Sequence, residues 1–175
     1  SPSMLLEILS HQNFADMKYG LDPAFRFTVS RAVYKGMLKS LSNRYGIPYT
    51  VQPLPVSHMS VGFAEGSQAQ LSWKDTKDEL EPTAVPTGYI LYTRVDDGAF
   101  DCGRIIQPTE NGNTLTYKTD IEPGHIYSYR VQAFNDGGKS FQSETVSIGR
   151  PSEGGFSETV LIVNNFDRVS GPAFI

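Results

Sequence analysis

The strongest constraint in this sequence is a change of hydrophobic period. From Val61 to Ile148 the apolar residues fall in short runs that alternate or cluster as strands do: Val61 and Phe63; Ala69, Leu71 and Trp73; Tyr89-Ile90-Leu91-Tyr92; Leu115 and Tyr117; Ile126 to Phe134; Phe141 to Ile148. Turn signals punctuate them: Asp96-Asp97-Gly98, Asn111-Gly112-Asn113, Glu122-Pro123-Gly124 and Asn135-Asp136-Gly137-Gly138. About seven short strands in ~100 residues predict an all-β sandwich.

The first 50 residues have a different grammar. Met4-Leu5-Leu6 with Ile8-Leu9, interrupted only by Glu7, reads as a buried strand, and a loop follows it. Asp22-Pro23 then places an N-cap and a first-turn proline at a helix start. Phe25, Val29, Ala32, Val33, Gly36, Met37 and Leu41 recur at helical spacing, and Gly46-Ile47-Pro48 stops the pattern. Such an amphipathic helix of about 20 residues needs a surface to cover its stripe, on this chain or on a second copy of it. After Arg150-Pro151 the glycines give way to Val160-Leu161-Ile162-Val163, read as the first strand of a following, truncated domain. The expected organisation is therefore 1–50, a 54–150 sandwich, and 151–175 as linker and new start.

Charge narrows the function classes. Six basic and three acidic residues in 1–50 contrast with eight and thirteen in 51–150, and the net charge of the chain is −4. That balance argues against a nucleic-acid binder. No run approaches the ~18 apolar residues of a membrane span, and no signal peptide is read at the start. A single cysteine, Cys102, leaves no internal disulfide framework and no cysteine-based zinc cluster.

Leu71-Ser72-Trp73, Gly88-Tyr89-Ile90-Leu91-Tyr92, and Ile121-Glu122-Pro123-Gly124-His125-Ile126-Tyr127 with Tyr129, Val131, Ala133 and Asn135 are similar to fibronectin type III domains over about 55–150. The resemblance implies an immunoglobulin-like β-sandwich in which Trp73 fills the core and Tyr127 bonds back to the chain upstream. Residues 1–46 resemble the C-terminal end of zinc-dependent N-acetylmuramoyl-L-alanine amidases. Met4-Leu5-Leu6-Glu7 matches the strand and catalytic Glu, Asn13 and Asp16 the loop, and Leu21-Asp22-Pro23-Ala24-Phe25 with Ala32 and Gly36 the helix. The Gly-Phe that follows the Glu in that family is replaced by Leu9-Ser10, with His11-Gln12 in the loop. That resemblance implies Glu7 as the catalytic base of a longer parent protein, with zinc ligands upstream and none in this chain.

The succession of these units, with Leu9 to Met17 and Val160 to Pro172, resembles large secreted Bacteroidetes proteins labelled xanthan lyase or golvesin-related. It implies a secreted, periplasmic or cell-surface protein that processes polysaccharide or cell wall. The sandwich is then expected to be a non-catalytic spacer or interaction module needing no cofactor, with neighbouring domains as its partners. The alternatives are part of an amidase, or a carbohydrate-binding module acting on polysaccharide or peptidoglycan.

Other candidate residues read as structural. His11, His58 and His125 lack metal-ligand spacing. His58 and His125 read as surface or capping residues, and Cys102 as a partly buried small hydrophobe. Tyr89, Tyr92, Tyr117, Tyr127 and Tyr129 read first as core or cross-strand packing, an exposed subset being the alternative for sugar stacking. Asp75, Asp78, Glu79 and Glu81 lack calcium-loop spacing and read as a solvated loop.

Overall fold

Alternation in the sequence becomes alternation in burial. In the computed structural model, which describes residues 5–152, strand β2 (Gln68–Lys74) buries Ala69, Leu71 and Trp73 and turns Gln68, Gln70 and Ser72 outward. The other strands are β1 (Ser57–Phe63), β3 (Gly88–Val95), β4 (Arg104–Ile106), β5 (Thr109–Asn111), β6 (Thr114–Asp120), β7 (Ile126–Asn135), β8 (Gly138–Lys139) and β9 (Val146–Gly149). They form two antiparallel sheets. One has the order β1-β2-β6-β5; the other runs β4-β3-β7-β8, with β9 also paired to β7.

The register places one core between the sheets. Trp73 lies opposite Leu115 and Leu71 opposite Tyr117 in the first sheet; Tyr89 faces Ala133 and Leu91 faces Val131 in the second. Trp73, Leu71, Leu91, Val131 and Ala133 are fully buried, and Tyr89 and Tyr129 nearly so. The Trp73 and Tyr89 rings meet edge to face at 5.5 Å. Each such side chain removed from water contributes roughly 1.5–3 kcal/mol.

Phe141 to Ile148 departs from the expected continuous strand. β8 and β9 are the two ends of one edge, and the stretch between them leaves the regular ladder. Two serines bridge the gap. Ser140 and Ser143 donate their N–H groups to the Ala133 and Val131 carbonyls, both at 2.8 Å. Their hydroxyls accept the Ala133 and Val131 N–H groups at 3.1 and 2.9 Å. A hydroxyl standing in for a strand carbonyl keeps these β7 groups paired without a strand.

Residues 5–47 and 48–152 belong to two compact units. In the first, α2 (Pro23–Tyr45) has the predicted ends. The Asp22 carboxylate accepts the Ala24 N–H at 2.9 Å, Pro23 occupies the first turn, and Gly46 adopts φ +66 with its N–H on the Ser42 carbonyl. The expected loop before it contains a second helix, α1 (Phe14–Gly20), whose N-cap Asn13 accepts the Ala15 N–H. Seven residues are too few to display a helical period, and the stretch therefore read as a loop.

The expected buried strand at Met4–Leu9 is not formed. Residues 5–10 have no regular structure, and Leu5, Leu6, Ile8 and Leu9 are exposed; Met4 lies outside the described residues. A strand needs a neighbour to pair its backbone, and none of the described strands pairs with this stretch. In the predicted stripe of α2, Phe25, Val29 and Val33 are half-buried, Phe25 against the Tyr19 ring at 5.7 Å, while Ala32, Gly36, Met37 and Leu41 are exposed. The expected strand at Val160–Val163 lies outside the described residues.

Candidate functional site

Most side-chain chemistry collects on the outer face of the five-stranded sheet. Residues of β3 and β7 alternate, so Tyr92 and Arg94 project opposite to Tyr89 and Leu91, and Arg130 and Gln132 opposite to Tyr129 and Val131. The loop after β3 folds Phe100 back over this face. The Phe100 ring meets two guanidiniums, with Arg130 at 4.4 Å and Arg94 at 5.3 Å from its centre. Arg94 donates to the Ser128 hydroxyl at 3.1 Å, and Arg130 to Thr145 Oγ1 at 2.8 Å and Gln142 Oε1 at 3.2 Å. The Tyr92 hydroxyl donates to Gln132 Oε1, whose amide donates to the Ser140 carbonyl. Each cation–π contact contributes about 0.5–1 kcal/mol at such exposure. The face stitches the irregular edge to the sheet.

A second polar cluster lies where the chain enters the sandwich, and the sequence reading missed it. Val51, Pro53, Leu54 and Val56 are buried although they form no strand. Asn135 Nδ2 donates to the carbonyls of Val51 (2.9 Å), Val85 (3.1 Å) and Thr83 (3.2 Å), while its Oδ1 accepts the Gly137 N–H at 2.8 Å. Thr83 Oγ1 accepts the Val51 N–H and donates to Glu81, which also accepts the Tyr49 hydroxyl. Gly137 is glycine because a Cβ there would strike the Thr50 backbone. The prolines of Pro53-Leu54-Pro55 deny the stretch a ladder role but do not keep it out of the core.

The acidic loop divides by environment. Glu79 pairs with Lys77 in solvent, and Asp78 accepts the Leu80 N–H. Glu81, by contrast, is buried and hydrogen-bonded, which corrects the solvated-loop reading at that position. Asp75 accepts the buried Tyr89 hydroxyl at 2.7 Å. Burial raises the Asp75 pKa, the Tyr89 bond opposing it and the Glu110 charge adding to it. The Tyr89 phenol is likewise pushed up, first by burial and then by Asp75. Tyr129 is pushed up to about 12, mainly by burial, and its hydroxyl and the Trp73 indole N–H are buried without partners among the described residues.

The candidate catalytic group belongs to the first unit. Glu7 is exposed on the irregular stretch, as is His11; Asn13 and Asp16 are occupied locally, Asp16 accepting the Ser10 N–H at 3.0 Å. Among the described residues no three His, Cys, Asp or Glu side chains gather in a way that could hold a metal, so the residues do not fit a zinc centre. His58 bonds its neighbour Ser57 at 3.0 Å, and His125 bonds Asp96 at 2.7 Å. Cys102 is exposed rather than partly buried, because it sits in the loop between Asp101 and the positive-φ Gly103, outside any strand. Of the five tyrosines, Tyr89 and Tyr129 are buried, and Tyr92, Tyr117 and Tyr127 are half-buried.

The family model described as the fibronectin type III domain matches residues 54–149, more than half of the chain. The chain belongs to the fibronectin type III family. Its sandwich is similar to the fourth FNIII domain of a human protein, at 25% identity and a TM-score of 0.45, covering 62% of this chain and 87% of that one. It is also similar to the sixth such domain from human fibronectin type III domain containing protein 3 (23% identity, TM-score 0.45, covering 63% and 96%). The twitchin kinase region from C. elegans, a chain of several domains, matches at 19% identity and a TM-score of 0.45, covering 65% of this chain and 19% of that one. No curated protein matches. Fibronectin type III domains serve as non-catalytic modules of multidomain chains, and no described helix here is long and apolar enough to cross a membrane.

Proposed function

We propose that the fibronectin domain of this chain is a spacer and interaction module within a secreted or cell-surface protein that processes polysaccharide or cell wall. The observation that carries the proposal is the use to which its reactive side chains are put. The aromatics fill the core, the arginines hold Phe100, and the entry-cluster carboxylate is satisfied internally. Such a sandwich holds its neighbours without doing chemistry. The polysaccharide context rests on the likeness of residues 9–17 and 160–172 to the xanthan-lyase and golvesin-related proteins. Titration with peptidoglycan fragments and with an anionic polysaccharide, followed by amide shifts, tests it. A spacer shows no saturable shifts on the sandwich; saturable shifts confined to one face would replace the spacer with a carbohydrate-binding module.

Glu7 as catalytic base of an amidase rests on the likeness of residues 1–46 alone. A muropeptide cleavage assay with added zinc separates the two readings. This chain is expected to give no turnover, whereas turnover that vanishes in Glu7→Gln would establish the enzyme.

A further inference from the structure

The two outer faces of the sandwich differ in kind. On the four-stranded sheet, Ser60, Ser72, Thr116 and Thr109 stand opposite one another across all four strands, a row of small hydroxyl side chains suited to water. The five-stranded sheet turns arginine and apolar side chains outward instead. Arg94 lies opposite Ser128 and Arg130 opposite Tyr92, which makes the two arginines diagonal neighbours on adjacent strands. Both guanidiniums lie within 5.3 Å of the Phe100 ring centre, so they are no farther apart than about one Debye length, ~10 Å at 0.1 M salt. Their partners, Ser128, Thr145, Gln142 and the ring, are all neutral. Among the described residues neither arginine has a carboxylate within salt-bridge distance, and the buried Nε of Arg94 has no hydrogen-bond partner.

Cations held in place by neutral groups keep their charge for an outside ligand, and a guanidinium fork matches a carboxylate. Apolar area flanks the pair. Ile105 projects from the same face, opposite Ile90, and is 68% exposed; Phe141, on the adjoining edge beside Gln142, is 59% exposed. The neutral polar groups between them are engaged with one another, the Tyr92 hydroxyl on Gln132, the Gln132 amide on the Ser140 carbonyl, and Ser128 with Ser147. A sugar would need such groups free. What the face offers is cationic and apolar, the character of a protein interface. We infer that it docks an acidic protein segment, with carboxylates on Arg94 and Arg130 and aliphatic side chains over Ile105 and Phe141; this rests on the sandwich being an interaction module and gives that module a class of partner. Three strand spacings, ~14 Å, separate β4 from the Phe141 edge, a distance that about five extended residues span. Elsewhere residues 51–150 carry an acidic excess, eight basic against thirteen acidic, so charge decides where the segment lands.

The test uses the full isotope-labelled chain and a capped peptide alternating glutamate and leucine, with its glutamine-for-glutamate counterpart as control. Saturable amide shifts at 92–94, 128–132 and 141–145 with the acidic peptide, weakened by salt and absent with the control, are the expected result. Arg94→Gln and Arg130→Gln together should weaken binding about tenfold or more. Because Arg130 also ties the edge to the sheet, a second variant is made at an exposed position outside the core: Ile105→Asp should weaken binding about tenfold, whereas Ile105→Lys should not weaken it. Equal affinity in all these variants would overturn the inference. No saturable shift with the acidic peptide would overturn it too, and would leave the spacer in place. Shifts on this face with polygalacturonate instead of the peptide would overturn both readings, and shifts that follow protein concentration alone would give the face to a second copy of the chain.

Discussion

The Tyr127 hydroxyl accepts the backbone N–H of Glu122 at 3.2 Å, closing the turn that feeds β7. The bond ties a side chain stacked on Tyr129 at 6.3 Å to the chain five residues upstream. It fixes where β7 begins, and with it the register that sends Tyr129, Val131 and Ala133 inward. Tyr127→Phe keeps the ring and removes the acceptor. It should cost about 1 kcal/mol, measured by urea unfolding, because Glu122 is exposed and water can take its N–H. No change would mean that Pro123 and Gly124 hold the turn unaided.

Trp73→Ala should destabilise the sandwich by about 3–5 kcal/mol through lost burial and a residual cavity. Trp73→Phe should cost less than that. Its buried indole N–H has no partner, so the smaller ring loses area but no hydrogen bond. Denaturant midpoints in the reverse order would show that lost burial and cavity volume do not govern this site.

The entry cluster predicts that the folding unit extends upstream of Leu54. Asn135→Ala leaves three carbonyls without their shared donor and should cost about 2–4 kcal/mol. Gly137→Ala should also destabilise, since the added methyl meets the Thr50 backbone. Gly36→Ala is the control. A Cβ there meets nothing within 4 Å, and the change should stabilise α2 by about 0.5–1 kcal/mol. Thermal melts of the three variants check the order.

The pair Asp96–His125 predicts a pH window. The His125 pKa is raised above 6.5 by the hydrogen bond to Asp96 and its charge, so its contribution is full below that value and lost as pH rises through the folded pKa. The Asp96 pKa is held below 3.8, first by the Ile126 N–H and then by His125, so its contribution is present above 3.8 and lost as pH falls through the folded value. The stability difference between the native chain and His125→Gln should therefore be greatest between these limits and disappear at alkaline pH. A proton titration of the His125 ring with a midpoint below 6.5 would contradict the assignment.

Much of the fold was legible before any coordinates. Period-two runs located β2, β3, β6 and β7, and glycine-rich turns separated them, because a half-buried strand must alternate and a tight turn must use residues that tolerate it. Asp22, Pro23 and Gly46 marked α2 to the residue, since capping is a local interaction of the backbone with its own sequence. The roles of Tyr127 and Trp73 came with the resemblance of Ile121 to Tyr127 and of Leu71-Ser72-Trp73 to fibronectin type III domains.

What the sequence could not show is where a local pattern meets its partner. Leu5 to Leu9 has the composition of a buried strand and lies exposed, because burial depends on a neighbouring strand and not on the run itself. Asn135, Thr83, Glu81 and Tyr49 are scattered over more than 80 residues and look like turn and loop chemistry, yet the two packed sheets bring them to one buried cluster. Ser140 and Ser143 act as strand substitutes only because β7 stands opposite. Local propensity is written into neighbouring residues; satisfaction of buried polar groups is decided by whatever the tertiary fold places within about 3 Å.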